Sequence, residues 1–301
     1  ANTDPEYLEE MEDIKSQQQY GDMIVNIGQG KRSLNGSGYE RISYERDEQL
    51  YQLNLIQTYL ENQDEEAALQ FLFPDGFQSA ACKGTTILAA TNKTVDKWNE
   101  TVQALNTNPM KVLRSKDKFG DVDDPHNHIA NAMSETVLNK FHAAGIPPRE
   151  LKLKVGDVCI VLRNLSMRDG LQNNARVRIL DIKPYCIRVQ TLEDSPRTAT
   201  IPRIRFIFKL PFAFSYTVSR LQFPLRLAYS MTYNKSQGQT LSKVLLDVTT
   251  PPFAHGHLYV ALSRIQYFRD IKLFCDEAQL DETGNPIVTN IVYQELLHET
   301  I

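Results

Sequence analysis

Between Met231 and Arg264 the chain carries two polar runs, MTYNKSQGQTL and HGHLYVALSR, whose residue types suit phosphate chemistry. The first sets Thr232, Asn234, Lys235, Ser236, Gln237 and Gly238 into one turn. Hydroxyls, amides and an ammonium hold phosphate oxygens without reading bases, and a glycine lets the backbone come close to a ligand. Lys243–Val248 then reads as a strand, and Leu258, Ala261 and Leu262 recur at helical spacing with Arg264 at the helix end. Arginine offers a permanently charged planar fork that fits phosphate oxygens, which lysine cannot match. A second polar group stands at Thr91, Asn92 and Lys93, where a buried strand over 85–90 meets a helix marked by Val95, Trp98, Val102 and Leu105. The free amides of a helix start favour anions, although Thr91 or Asn92 equally suits the role of N-cap. Trp98 shares the apolar stripe, so its spacing predicts core packing rather than base stacking.

Together these blocks resemble the PIF-one-like DNA helicases, particularly the branch found in Helitron-type transposons. The runs from Met231 to Leu241 and from His255 to Arg264 fit family motifs V and VI; Asn92 and Asn99 fall on the two asparagine positions of motif IV. Gly170, Leu171 and Asn173 match a segment inside a small inserted barrel, where Gln172 and Asn174 replace the usual cysteine and glycine. The resemblance implies an α/β fold, a RecA-like (P-loop NTPase-type) second helicase lobe with an inserted β-rich SH3-like barrel. It implies an ATP-dependent 5′→3′ DNA helicase serving repair, recombination, telomere maintenance or transposition. ATP and Mg2+ are its expected cofactors, and single-stranded and duplex DNA its expected partners. By family position Arg264 is the catalytic arginine reaching the γ-phosphate, and Gln237 and Gly238 approach the nucleotide beside it. Asn92, Lys93, Thr232, Asn234, Lys235 and Ser236 are expected along the DNA backbone. His257 stands where relatives have glutamine.

A P-loop is missing from the sequence. Its motif needs glycine amides around the phosphates and a lysine reaching the terminal ones; of 14 glycines only Gly30 precedes a lysine, and Arg32 follows. Ile271–Glu277 has the form of an acidic strand motif but lies after motif VI, and reads as the last strand of the second lobe. With Ala1 as the first residue, the expectation is the C-terminal half of a motor, inactive alone, whose ATP and Mg2+ are held mainly by a separate P-loop-containing lobe. The alternatives are a non-catalytic single-strand-binding module or a subunit that completes a motor in trans. Nuclear location, with mitochondrial as the alternative, rests on the resemblance alone.

Composition is that of a globular chain of 301 residues, 42% hydrophobic and 23% charged. No apolar run approaches the roughly 20 residues of a membrane span. Cys82, Cys159, Cys186 and Cys275 lack metal spacing and read as free thiols; His126, His128 and His142 lack a fourth ligand and read as surface residues, so no metal site is expected. The net charge of −4 conceals a division: residues 1–70 hold 15 acidic and 5 basic residues (−10), the rest 22 and 28 (+6). A mildly basic body is compatible with a strand-binding groove. Residues 1–80 resemble the tail of a first lobe and a linker, with a helix entering a glycine turn near Gly28–Gly30 and an amphipathic helix through Leu50, Leu53, Ile56 and Leu60. An acidic turn follows at Asp64–Glu66. By the same resemblance residues 84–150 and 213–280 are expected to form the second lobe, with a polar loop over 116–128, a helix over 131–144 and a strand over 227–231. Residues 151–212, with alternation at Val158, Ile160 and Leu162 and at Ile187 and Val189, are the barrel. Residues 281–301 are a tail with a helix over 291–297.

Overall fold

The computed structural model describes residues 5–31, 40–45, 48–52, 59–60, 64–76, 84–119, 145–193, 195–210, 213–282 and 284–298. In chain order they form α1 (Pro5–Gly28), β1 (Glu40–Glu45), β2 (Glu48–Gln52), β3 (Tyr59–Leu60), α2 (Glu65–Leu72), β4 (Thr85–Ala89) and α3 (Asn92–Ala104). There follow β5 (Lys111–Arg114), β6 (Lys116–Phe119), β7 (Glu150–Leu153), β8 (Val158–Val161), β9 (Arg176–Ile182), β10 (Cys186–Thr191), β11 (Thr198–Pro202), β12 (Ile204–Leu210) and β13 (Ala213–Gln222). The last elements are β14 (Leu225–Leu227), β15 (Ser230–Thr232), α4 (Tyr233–Ser236), β16 (Lys243–Asp247), α5 (His257–Leu262), β17 (Ile271–Phe274), β18 (Ile287–Ile291) and α6 (Gln294–His298). They make two compact units, one of residues 1–102 with 229–301 and one of residues 103–228.

The first unit is built on a five-stranded sheet in the order β15-β4-β16-β17-β3, every pairing parallel. β4 is buried along its whole length, as expected of a strand covered on both faces. Val95, Trp98 and Val102 of α3 are buried as their spacing predicts, whereas Leu105 lies beyond the helix end and is exposed. Ile271–Phe274 is an internal strand between β16 and β3, and Asp276 caps a 3-10 turn by a reciprocal bond with Gln279. On α1, Tyr20, Met23, Ile24 and Ile27 repeat at helical spacing and share one core with Leu88, Val244, Leu246, Leu258 and Leu262. These four positions are covered within the unit, whereas Ile14 and Val25 of the same helix are exposed; Tyr20 donates to the Leu262 carbonyl at 2.7 Å. Gly28 permits the close approach of α1 to α5: a Cβ there would stand 2.7 Å from Tyr259 Cδ2.

Three local expectations change. Leu50 and Leu60 lie in strands β2 and β3, not in a helix, while Leu53 and Ile56 fall outside the described residues. β2 is paired on both sides, by β1 and β18, so long-range partners override the helical period. Asp64 begins α2 instead of a turn, its carboxylate accepting from Ala67 N–H at 2.8 Å. The tail contributes β18 and its helix spans only Gln294–His298.

The second unit begins and ends beyond the expected 151–212. An antiparallel sheet in the order β11-β10-β9-β8-β14 encloses Val161, Val177, Ile179, Ile187 and Val189. A second, β12-β13-β6, recruits Lys116–Phe119, expected as loop, because this segment pairs with Val218–Leu221. The strand expected over 227–231 is two strands, β14 pairing with β8 in this unit and β15 with β4 in the other. The expected helix over 131–144, the rest of the loop, Cys82, His126, His128 and His142 lie outside the described residues. Cys159, Cys186 and Cys275 are free thiols, and no described helix is long and apolar enough to cross a membrane.

Candidate functional site

Because β4, β15, β16 and β17 run parallel, their carboxyl ends share one edge of the sheet, the edge where open α/β sheets take ligands. Two of the sequence-selected clusters sit there. At the end of β4, Thr91 is the N-cap: its hydroxyl accepts from Thr94 N–H at 3.3 Å and lies 3.0 Å from Thr94 Oγ1. Asn92 and Lys93 are thereby released from capping and stand exposed on the first turn of α3. Two turns on, buried Asn99 does work that residue type alone does not disclose. Its Oδ1 accepts from the Tyr229 and Ser230 amides, both at 2.9 Å, which fixes the backbone entering β15.

At the end of β15 the motif V turn is organised inwards. Ser236 is fully buried and its hydroxyl donates to the Tyr233 carbonyl at 2.7 Å. This hydroxyl, expected along the DNA backbone, is turned by the short helix α4 into the turn. Tyr233 is also buried, donating to the Asp247 carbonyl at 2.9 Å, and burial raises its phenol pKa. Gln239 closes the turn by donating to the Lys235 carbonyl at 3.0 Å. What remains outward is Asn234, Gln237 and Gly238, with Thr232 and Lys235 half-buried. Gly238 has φ +78° and open space where a Cβ would be.

Arg264 joins motif VI to this turn. Its Nε donates to the Val260 carbonyl at 2.9 Å, Nη1 to the Ser236 and Gln239 carbonyls at 3.3 and 3.2 Å, and Nη2 to Ser263 Oγ at 2.8 Å. Its own carbonyl accepts from Leu241 N–H at 2.8 Å. A guanidinium has five N–H donors, so one N–H on Nη2 is left after these four contacts. His257 is packed between the rings of Phe253 and Tyr233, at 5.0 and 5.7 Å, with Nδ1 buried and unbonded. Burial lowers its pKa. It is a wedge between motifs V and VI, not a group turned towards a ligand.

A groove of about 540 Å³ opens at the ends of β4, β16 and β17, with Lys93, Thr94 and Lys97 on one wall and Asp247, Thr249 and Asp276 on the other. Asp247, which carried no motif signal, is its hub: its carboxylate accepts from Trp98 Nε1 at 2.6 Å and from Thr249 N–H at 3.0 Å. Lys97 is held by Glu65 at 2.7 Å. Among the described residues no group of three or more His, Cys, Asp or Glu could hold a metal ion.

Residues 136–182, which reach the end of β9, match the family model for the DNA helicase Pif1, 2B domain. The ATP-dependent DNA helicase PIF1 of Danio rerio is 31% identical over 156 residues, 51% of this chain and 23% of that protein. The crystal structure of Pif1 helicase from Candida albicans superposes with a TM-score of 0.56 at 23% identity, covering 85% of this chain and 53% of that one. A Bacteroides Pif1 helicase in complex with ADP-AlF3 and ssDNA gives 0.50 at 24% identity over 78% of this chain and 49% of that one. The chain thus spans about a quarter of the zebrafish protein by sequence and about half of these crystallised chains by fold. Over half its length by sequence, and over most of it by fold, this chain is similar to the Pif1 DNA helicases.

Proposed function

We propose that this chain supplies the motif IV, V and VI lobe of an ATP-dependent DNA helicase that moves 5′→3′ on single-stranded DNA. The observation that carries the proposal is the bonding of Arg264, the residue expected at the nucleotide, to carbonyls of the turn whose other groups are expected along DNA. The remaining Nη2 N–H, the exposed Gln237 and the open approach to Gly238 suit the outer oxygens of a nucleotide triphosphate. In the Bacteroides relative crystallised with ADP-AlF3 and ssDNA both kinds of ligand meet one chain. In this reading Mg2+ and most of the nucleotide are held by a separate P-loop lobe. When bound, the nucleotide supplies the phosphoryl group. Arg264 neutralises charge as the phosphoryl group leaves, a role in which an arginine contributes about 10³–10⁵ in rate. Drawing Nη1 onto a phosphate releases the Ser236 and Gln239 carbonyls, and so relaxes the turn that presents Asn234 and Lys235 to DNA. Repair, recombination, telomere maintenance and transposition are the processes such a motor would serve.

The test mixes the chain with a P-loop-bearing lobe of a PIF-one-like helicase and measures ATP hydrolysis with and without oligothymidylate. DNA-stimulated turnover is expected in the mixture, and Arg264→Ala should lower it by about 10³-fold or more. The internal bonding of Arg264 also favours a second reading, a single-strand-binding module without turnover. Under that reading Arg264→Ala lowers DNA affinity and melting temperature while the mixture hydrolyses nothing. Absence of both hydrolysis and DNA binding at low salt overturns both.

A further inference from the structure

The sheet β12-β13-β6 has two faces of opposite character. Its register sets Arg205 beside Leu221 and Lys116, Ile207 beside Ser219 and Lys118, and Lys209 beside Thr217. Directly paired residues of antiparallel strands point to the same side, so Lys116, Lys118, Arg205, Ile207 and Lys209 share one face. The alternate residues form the inner face: Phe206 and Val218 are buried, and Arg220 and Asp117 make an ion pair of 2.9 Å with both side chains almost wholly covered. Asp117 is the only carboxylate in the three strands, and the pleat turns it inwards.

The outer face is left with four exposed cations and, among the described residues of these strands, no opposing carboxylate. A solvated surface usually intersperses the two signs; this one does not. Residues two apart on a strand are about 6.7 Å apart, and β6 and β12 flank β13 at about 4.8 Å on each side. The cations therefore form two rows about 10 Å apart, on either side of Leu221, Thr217 and buried Ser219 of β13. Between them Ile207 is 59% exposed, an apolar side chain set among charges. Two rows of cations neutralise a chain of phosphates lying along β13, and Ile207 offers contact to an unpaired base or a sugar. A duplex, with its bases stacked inside, has no use for Ile207.

We propose that this face is a binding surface for the backbone of single-stranded DNA, additional to the α3 and motif V residues. It rests on the DNA-helicase reading for the identity of the polyanion, and the test separates the two. Fluorescence anisotropy with labelled oligothymidylate is measured across a salt series for the full chain, for the quadruple variant K116Q/K118Q/R205Q/K209Q, for I207S and for K93Q. Each lost phosphate contact should reduce the slope of log affinity against log salt by about 0.7, so the quadruple variant should lose about 1.4 to 2.8 with an unchanged melting temperature. I207S should weaken binding at an unchanged slope. A wild-type slope in the quadruple variant, with a reduced slope in K93Q, overturns the face and leaves the helicase reading standing. Equal binding of duplex, equally weakened in the quadruple variant, overturns the assignment to single strands. No binding by the wild-type chain at low salt overturns both.

Discussion

The two neighbouring strand ends of the parallel sheet use similar residues to opposite purpose. After β4, Thr91 alone satisfies the helix start, and Asn92 and Lys93 stand in solvent. After β15, Ser236, Tyr233, Gln239 and Arg264 satisfy one another, and only Asn234, Gln237 and Gly238 are left outward. The first is a ready surface whose groups cost nothing to redeploy. The second is a closed hydrogen-bonded unit, in which any new contact by Arg264 beyond its one remaining Nη2 N–H has to displace an old one. The proposed motor lobe would use both kinds of end: one that holds a strand steadily and one whose geometry a ligand can alter.

The comparison breaks most completely at Asp247, on which both ends lean. Its carboxylate holds Trp98 of α3, and its carbonyl holds Tyr233 of the motif V turn. Asp247→Ala leaves the buried indole N–H and the Thr249 amide without their acceptor. Each buried donor left unbonded costs about 1–3 kcal/mol, so a loss of about 2–6 kcal/mol is expected in denaturant melts. The start of α3 should loosen, visible as faster amide exchange at Thr94 and Val95; the Asp247 carbonyl that holds Tyr233 survives the substitution, so exchange at Gln237 and Gln239 rises too only where the backbone after β16 shifts with the lost carboxylate. Loosening at one end alone would show that Asp247 does not couple them.

How far the sequence discloses this arrangement depends on the range of the interaction. The α3 stripe and the alternation in β8, β9 and β10 are local periodicities, and the structure contains them. Leu50 and Leu60 also fit a helical period, but β1 and β18 claim β2 from both sides, and a partner more than 200 residues away leaves no local mark. The same holds for Lys116–Phe119, a polar stretch made into strand by β13. In the site, the residue types are legible and their directions are not. Nothing in NKSQ shows that Ser236 turns in while Asn234 turns out; that depends on α4 making one helical turn. Asn99 and Asp247 acquire their roles only from backbone and side chains 130 and 149 residues away.

A smaller effect probes the closed end through its one buried imidazole. His257 lies at the start of α5 against Phe253 and Tyr233, and no charged side chain bonds it. Its folded pKa is lowered by burial below the ordinary 6.5. The unfolded chain therefore takes up a proton first as pH falls. The stability due to the neutral ring is complete above pH 6.5 and is lost below it, down to the folded pKa. Melting temperature measured from pH 8 to pH 5 should fall more steeply for the wild type than for His257→Gln. Parallel curves would show that the ring accepts a proton in place.

The finest distinction sets Lys93→Gln against Ser236→Ala. Lys93 is exposed, and among the described residues no ion pair or hydrogen bond holds its ammonium, so its loss should change stability by less than about 0.5 kcal/mol. If α3 holds a phosphate, the salt dependence of oligothymidylate binding should nonetheless fall by about 0.7. Ser236→Ala should do the reverse: it removes a buried hydrogen bond worth about 1 kcal/mol and leaves the salt slope alone. Should Ser236→Ala reduce the slope instead, its hydroxyl must leave Tyr233 when DNA is present, and the turn after β15 would be an opening device. Should Lys93→Gln reduce stability and spare the slope, the start of α3 would be as closed as its neighbour. The difference between the two strand ends would then vanish.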